Sequence, residues 1–149
     1  MTTVERLIPL FVQTRALFKL YKQVRWQTSD ATPYEVSSIF DKHYREQLNL
    51  MDALVARVEA LGEPEATLPC EVVEHPRSGS TRRLRPATDQ LRTLLAAHER
   101  VLEETRALEH AATEWSDTQT DALVRQIVQT NDLQRWLVAE DLTARTSAR

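Results

Sequence analysis

Apolar residues recur at helical spacing along four long stretches of the chain. In the first stretch, Leu7, Phe11, Phe18 and Tyr21 recur at helical spacing and share one face of a helix. The same pattern predicts helices over about 4–27, 33–61, 88–113 and 118–145. We therefore expect an all-α fold.

Turn and capping residues mark both ends of the second predicted helix. The segment 28–33 interrupts the apolar pattern, and Thr32 before a proline, with Glu35 three residues later, is typical of a helix start. Gly62, followed by Pro64, is a common signal for a helix end.

The lengths of the helices and of their connections predict how they pack. Helices of about 24–29 residues are rods of about 36–44 Å, and rods of this length pack best side by side. Two connections are short and favour antiparallel neighbours, whereas the segment 62–87 is long enough to cross the whole bundle. We therefore predict an up-down-down-up four-helix bundle over residues 1–149. A plain up-down-up-down bundle with a long loop is the alternative.

The second helix has two distinct faces when its residues are placed at 100° intervals. One face is apolar apart from a histidine and a glutamine, and we predict that it faces the core. The other mixes apolar residues with Asp41 and Asp52, which are eleven residues apart and point almost the same way. This second face is a candidate partner surface; the alternative is that acids are scattered beside ordinary surface residues. The core face consists of Val36, Phe40, His43, Gln47, Met51, Leu54, Val58 and Leu61, and the outer face of Ser37, Asp41, Tyr44, Leu48, Asp52, Val55 and Ala56.

Composition narrows the class of protein. The 149 residues carry 19 Lys and Arg against 22 Asp and Glu, a net charge of 19 − 22 = −3, which argues against coating nucleic acid through net charge alone. Two glycines weigh against glycine-rich phosphate loops, and one cysteine excludes an intramolecular disulfide framework. Neither a signal peptide nor a membrane-spanning stretch is apparent, so a cytoplasmic protein is expected.

The four histidines argue against a metal site inside the bundle. An internal di-iron site would need Glu-x-x-His on facing helices, and this motif occurs nowhere in the sequence. We therefore interpret His43, on the core face, as a hydrogen-bonded core or interface residue rather than a metal ligand.

Three segments together resemble the Dps branch of the ferritin superfamily. They are Lys22-Gln-Val-Arg-Trp-Gln-Thr, Phe40-Asp-Lys-His-Tyr-Arg-Glu and Met51-Asp-Ala-Leu-Val-Ala-Arg-Val-Glu-Ala-Leu-Gly, and the segment 130–140 resembles the end of the same family. The resemblance implies a ferritin-like fold and a hollow dodecamer that oxidises and stores iron, and many members also bind DNA. It further implies an iron site between two subunits, which fits the outer face of the second helix.

The ligand positions of the family are only partly kept. Asp41 and Asp52 match two aspartate ligands. Arg25 and Ser37 stand where the family has two histidines, and Ala56 stands where it has a glutamate. Ferrous iron favours imidazole together with carboxylate, so the loss of both histidines puts ferroxidase activity in question.

The substitution at Arg25 suggests a different arrangement. We hypothesise that Arg25 of one subunit occupies the place of the metal and pairs with Asp41 or Asp52 of its neighbour, because a guanidinium offers five donors and a permanent charge. On this interpretation the two aspartates form a structural salt bridge instead of an iron site.

Two further clusters are candidate sites. The resemblance implies a cation-conducting pore near Glu114, Asp117 and Asp121, although acids at a helix N-terminus are also typical of simple capping. Arg77, Arg82, Arg83 and Arg85 lie in the crossover and are candidate phosphate contacts; a solvated loop is the alternative. The sequence gives DNA binding little support, because no Lys-rich tail is present.

The expected function is therefore that of a Dps-like cage that binds and stores iron and protects against oxidative damage, with a non-standard inter-subunit site. The alternatives are a cage that has lost ferroxidase activity and acts only in assembly or interaction, and a bundle of lower oligomeric order that binds a partner.

Overall fold

The computed structural model of the chain describes residues 2–27, 34–64, 68–69, 86–112 and 117–147; the side chains of 25–27, 34–37 and 110–112 are outside that description. Within it, the chain forms α1 (Thr3–Gln27), α2 (Tyr34–Ala60), α3 (Ala87–Ala112) and α4 (Thr118–Ser147). These bounds lie within two residues of the predicted ones. No helix of the described part is long and apolar enough to cross a membrane.

Local hydrogen bonds explain where the helices begin and end. At the start of α1, the Glu5 amide donates to the Thr2 hydroxyl and the Thr2 amide donates to the Glu5 carboxylate, at 3.1 and 2.7 Å, which is a capping box. At the end of α2, Gly62 has φ of +92° and its amide donates to the Glu59 carbonyl, while the next amide donates to the Val58 carbonyl. This Schellman motif ends α2 because only glycine adopts such a φ without strain.

Contacts between helices fix the topology. Gln47 contacts Gln134, and ten residues further along α2 Arg57 contacts Thr120, so α2 and α4 are antiparallel. A connection of five residues makes α3 antiparallel to α4 as well, so α2 and α3 are parallel and the segment between them joins opposite ends of the bundle. The predicted up-down-down-up bundle is confirmed.

The core lies between the four helices and is largely aliphatic. Leu68, in the described part of the crossover, is also buried, and the Arg15 guanidinium donates to the Pro69 carbonyl, so residues 68–69 are held against α1. Every helix contributes fully buried residues, among them Leu7, Leu10, Leu17, Leu54, Leu91, Leu94 and Ile127.

Candidate functional site

A cluster of polar side chains lies at the centre of the otherwise apolar core. Each of the four helices contributes to it, and each member is at most 1 % exposed. Burying this many polar groups is costly unless they bond one another, so their hydrogen bonds decide whether the core is stable. The members of this central cluster are Tyr21 of α1, His43 and Gln47 of α2, His98 of α3, and Asn131 and Gln134 of α4.

The positions of the protons in the central cluster follow from one backbone contact. The Asn131 Nδ2 donates to the Ile127 carbonyl at 2.8 Å, so its Oδ1 is the atom that faces His98 Nδ1, at 2.9 Å. His98 Nδ1 therefore carries the proton, and Nε2 of the neutral ring has a lone pair. Tyr21 donates its hydroxyl proton to that lone pair at 2.6 Å, and the Tyr21 oxygen accepts from His43 Nδ1 at 3.2 Å. The chain of hydrogen bonds runs in one direction, from His43 to Asn131.

Burial keeps these groups neutral. It lowers the pKa of His43 to about 3 and that of His98 to about 4, and it raises the pKa of Tyr21 well above its usual value. The hydrogen bond to Asn131 acts in the opposite direction on His98 but is outweighed by burial. His43 is thus a hydrogen-bonded core residue, as the sequence indicated.

The described part of the interior provides no carboxylate ligands. Among the described residues, none of the buried polar side chains is an aspartate or glutamate, and no group of three or more His, Cys, Asp or Glu side chains is arranged to hold a metal ion. The candidate metal ligands of the sequence lie elsewhere, on the outer face of α2.

Asp41 and Asp52 occupy that outer face as predicted but do not meet within one chain. Asp41 is partly buried and pairs with Arg45 in the same helix at 3.1 Å, and Asp52 is exposed. Eleven residues of α-helix separate them by about 16 Å, which is too far for both to bind one ion. Ala56, one turn beyond Asp52, is exposed and has no ligand atom. The side chains of Arg25 and Ser37 are outside the described part.

Comparison with known proteins identifies the family of this chain. A model of the ferritin-like domain matches residues 13–145. The structure of DpsC from Streptomyces coelicolor superposes with a TM-score of 0.76 at 33 % identity, over 93 % of this chain and 82 % of that one. The chain belongs to the ferritin-like family, in its Dps branch.

Two more proteins are similar to this chain. An uncharacterised protein encoded in the 5′ region of bpoA2 in Kitasatospora aureofaciens is 35 % identical over 107 residues, which are 68 % of this chain and 69 % of that protein. Dps from Thermosynechococcus elongatus has the same fold, with a TM-score of 0.76 at 21 % identity, over 93 % of this chain and 88 % of that one.

The predicted pore residues of this Dps-like chain are only partly described. Glu114 is outside the described residues, as are Arg77, Arg82, Arg83 and Arg85 of the basic cluster, and their roles stay predictions. Asp121 pairs with Arg125 in its own helix at 3.0 Å. Asp117 caps α4, because its Oδ1 accepts from the Thr120 amide at 3.0 Å.

Asp117 also connects α4 to the end of α2. Arg57 Nη2 lies 3.3 Å from both Asp117 oxygens, its Nε donates to the Thr120 hydroxyl at 3.0 Å, and its Nη1 donates to Gln119. Burial raises the pKa of the Asp117 carboxyl, but the hydrogen bonds from Thr120 and the charge of Arg57 outweigh it, and the net pKa is lowered. The structure therefore supports a capping role for this residue.

Replacing Asp117 separates capping from pore function. We expect Asp117→Ala to lower the free energy of unfolding by about 1–2 kcal/mol because α4 loses its cap, and Asp117→Asn to lose less, because asparagine also caps helices. Urea titration measures both. If both variants are as stable as the wild type but take up iron more slowly, the capping interpretation is wrong and the pore interpretation gains support.

Sequence reasoning missed half of the central cluster. It placed His43 and Gln47 on the core face but assigned no role to His98, Asn131 or Gln134. The signal that would have found them is a polar residue at a core position of each helix, at the same height in the predicted bundle.

Proposed function

We propose that the protein assembles into a closed homo-oligomeric cage in the cytoplasm, of twelve subunits, that binds and stores iron and limits oxidative damage. Membership of the Dps branch supports the cage and the iron. Any iron oxidation would take place at a non-standard site between subunits.

One observation carries this proposal: the acids that match the family's metal ligands lie on the outer face of α2, and none of the described core side chains is a carboxylate. Because Asp41 and Asp52 of one chain are about 16 Å apart, a site that uses both must take them from different subunits. The half-buried Leu48, which lies between them on this outer face, suits a surface that a second subunit covers, whereas Tyr44 stacks on Phe18 of its own chain.

For the case in which the seam holds no iron, we propose that Arg25 of one subunit reaches Asp41 or Asp52 of its neighbour across it. A guanidinium there would hold two carboxylates together without metal, since it offers five donors and a permanent charge. A crystal structure of the assembly with a metal ion at the seam and Arg25 turned away would contradict this arrangement.

The test of the proposed iron function is anaerobic loading of the assembled protein with ferrous iron, followed by oxygen or peroxide. We expect faster oxidation than in buffer, and Asp52→Ala is expected to bring the rate down to the buffer rate because the site loses a carboxylate. Absorbance gives the rate, and elemental analysis gives the iron bound per particle.

Glu46→Ala is the matched control, because Glu46 is also a partly exposed acid of α2. It lies six residues before Asp52 and so points about 120° away from the outer face. This variant should oxidise iron at the wild-type rate. Equal losses in both variants would show that general surface charge, and not the seam, governs the reaction.

The second candidate function is a cage that has lost ferroxidase activity. Ala56 favours it, because this exposed side chain has no atom that can bind iron where the family has a glutamate. An intact particle with no acceleration over buffer supports it. Light scattering after size exclusion separates both cages from a bundle of lower order.

DNA binding stays a separate prediction with little support in the sequence. Its candidate contacts are outside the described residues, and each chain carries a net charge of −3. A gel shift that persists at physiological salt would establish DNA binding against this expectation.

A further inference from the structure

The proposed iron function does not involve the central cluster. Its most unusual contact is the 2.6 Å hydrogen bond from the Tyr21 hydroxyl to Nε2 of His98. Both residues are 0 % exposed, so this phenol has a proton acceptor inside a core that is closed to bulk water.

We propose that Tyr21 and His98 form a proton-coupled redox pair, in which a strong one-electron oxidant takes an electron from the Tyr21 phenol while the phenol proton moves to His98 Nε2. The O–H bond of Tyr21 breaks and an N–H bond forms on His98. The products are a neutral phenoxyl radical, an imidazolium and an oxidant reduced by one electron. The oxidant class is that of the hydroxyl radical, which is reduced to hydroxide.

The geometry favours coupling of the two transfers. A phenol that loses only an electron becomes a radical cation, and a charge without hydrogen-bond partners is very costly in an apolar core. An oxidised phenol is also a far stronger acid than an imidazolium, so the proton moves to His98 although burial weakens that base. The proton needs to travel only along an existing hydrogen bond.

The remaining contacts stabilise the products. After the transfer, His98 has two N–H groups, and both have acceptors: Nδ1–H bonds to the Asn131 Oδ1 at 2.9 Å and Nε2–H to the phenoxyl oxygen. The phenoxyl oxygen also keeps the hydrogen bond from His43 Nδ1, at 3.2 Å. The charged neighbours of His98 act on it in opposite directions, and these neighbours, Glu99 and Arg135, pair with each other at 2.5 Å.

Because Tyr21 and His98 are buried, the pair can store an oxidising equivalent. Electrons tunnel through a packed core without water entry, so Tyr21 can be oxidised from the surface while its radical stays shielded from other molecules. The pair would hold an oxidising equivalent until a reductant removes it. This activity does not depend on the proposed iron site, and its test uses no iron.

The experiment oxidises the assembled full-length protein with a photogenerated ruthenium(III) polypyridyl complex, then freezes it for electron paramagnetic resonance. We expect a tyrosyl radical that is lost in Tyr21→Phe and kept in Tyr44→Phe, since Tyr44 is half-exposed and stacked on Phe18 at 5.0 Å. A radical that is unchanged in Tyr21→Phe would overturn the proposal.

His98 is tested as the proton acceptor. His98→Gln should slow the formation of the radical about tenfold or more, equivalent to about 1.4 kcal/mol in the barrier. If this variant fails to fold, the wild-type protein in D₂O answers the same question: formation should be slower, and the radical should show coupling to an exchangeable deuteron at the phenoxyl oxygen. Equal rates in H₂O and D₂O, with no such coupling, would reduce the pair to a structural contact.

Discussion

Acidification is expected to destabilise the fold by several kcal/mol between pH 6.5 and pH 4. His43 and His98 are neutral in the core, with pKa values lowered by burial to about 3 and about 4 from 6.5. Below pH 6.5 the unfolded chain binds protons that the folded chain does not, so the free energy of unfolding falls with pH, by about 1.4 kcal/mol per pH unit for each histidine. Urea titrations at fixed protein concentration between pH 7.5 and pH 4.5 measure this loss.

The slope of the free energy of unfolding against pH identifies the groups that cause the loss of stability. His98→Gln should reduce the dependence of stability on pH by about half, whatever its effect at neutral pH, because one of the two titrating groups is gone. The charged residues that act on this pair are Lys42 on His43, and Arg135 and Glu99 on His98, and each has a smaller effect on the histidine pKa than burial has. A stability that is constant from pH 7 to pH 5, or an unchanged slope in the variant, would contradict neutral buried histidines.

Asn131→Ala is expected to cost about 2–4 kcal/mol in the free energy of unfolding. The side-chain oxygen of this residue accepts from His98 Nδ1 at 2.9 Å and lies 3.4 Å from the Gln47 amide nitrogen, and its nitrogen bonds the Ile127 carbonyl. The truncation leaves a buried N–H of His98 without its partner and opens a cavity, and each effect costs about 1–3 kcal/mol. Urea unfolding at pH 7.5 measures the loss.

Gln129→Ala on the exposed face of α4 is the control, with an expected change within about 0.5 kcal/mol. The same pair of variants also tests the direction of the hydrogen-bond chain. If Asn131 holds the His98 tautomer, the imidazole nitrogen resonances of His98 should change in Asn131→Ala and not in Gln129→Ala. Matching unfolding midpoints in the two variants would show that the central cluster contributes nothing to stability.

Sequence reasoning predicted which residues share the outer face of α2, but not the role of its two acids. Helical periodicity placed Asp41 and Asp52 on one face, because residues three turns apart on a helix must point the same way. The resemblance supplied their interpretation as ligands. Their role stays a proposal, because a site shared between subunits depends on a second chain whose position no single sequence specifies.

The end of α2 was predictable from the sequence, whereas the central cluster was not. The sequence by itself determined four helices, the stop at Gly62 and the apolar stripes, because capping chemistry and a period of 3.6 residues act between near neighbours. Only the tertiary structure decided that Tyr21, His98 and Asn131, each separated from the next by 33 or more residues, would meet in one hydrogen-bonded chain. That meeting depends on the register of four packed helices, and register is a property of the assembled core rather than of any segment.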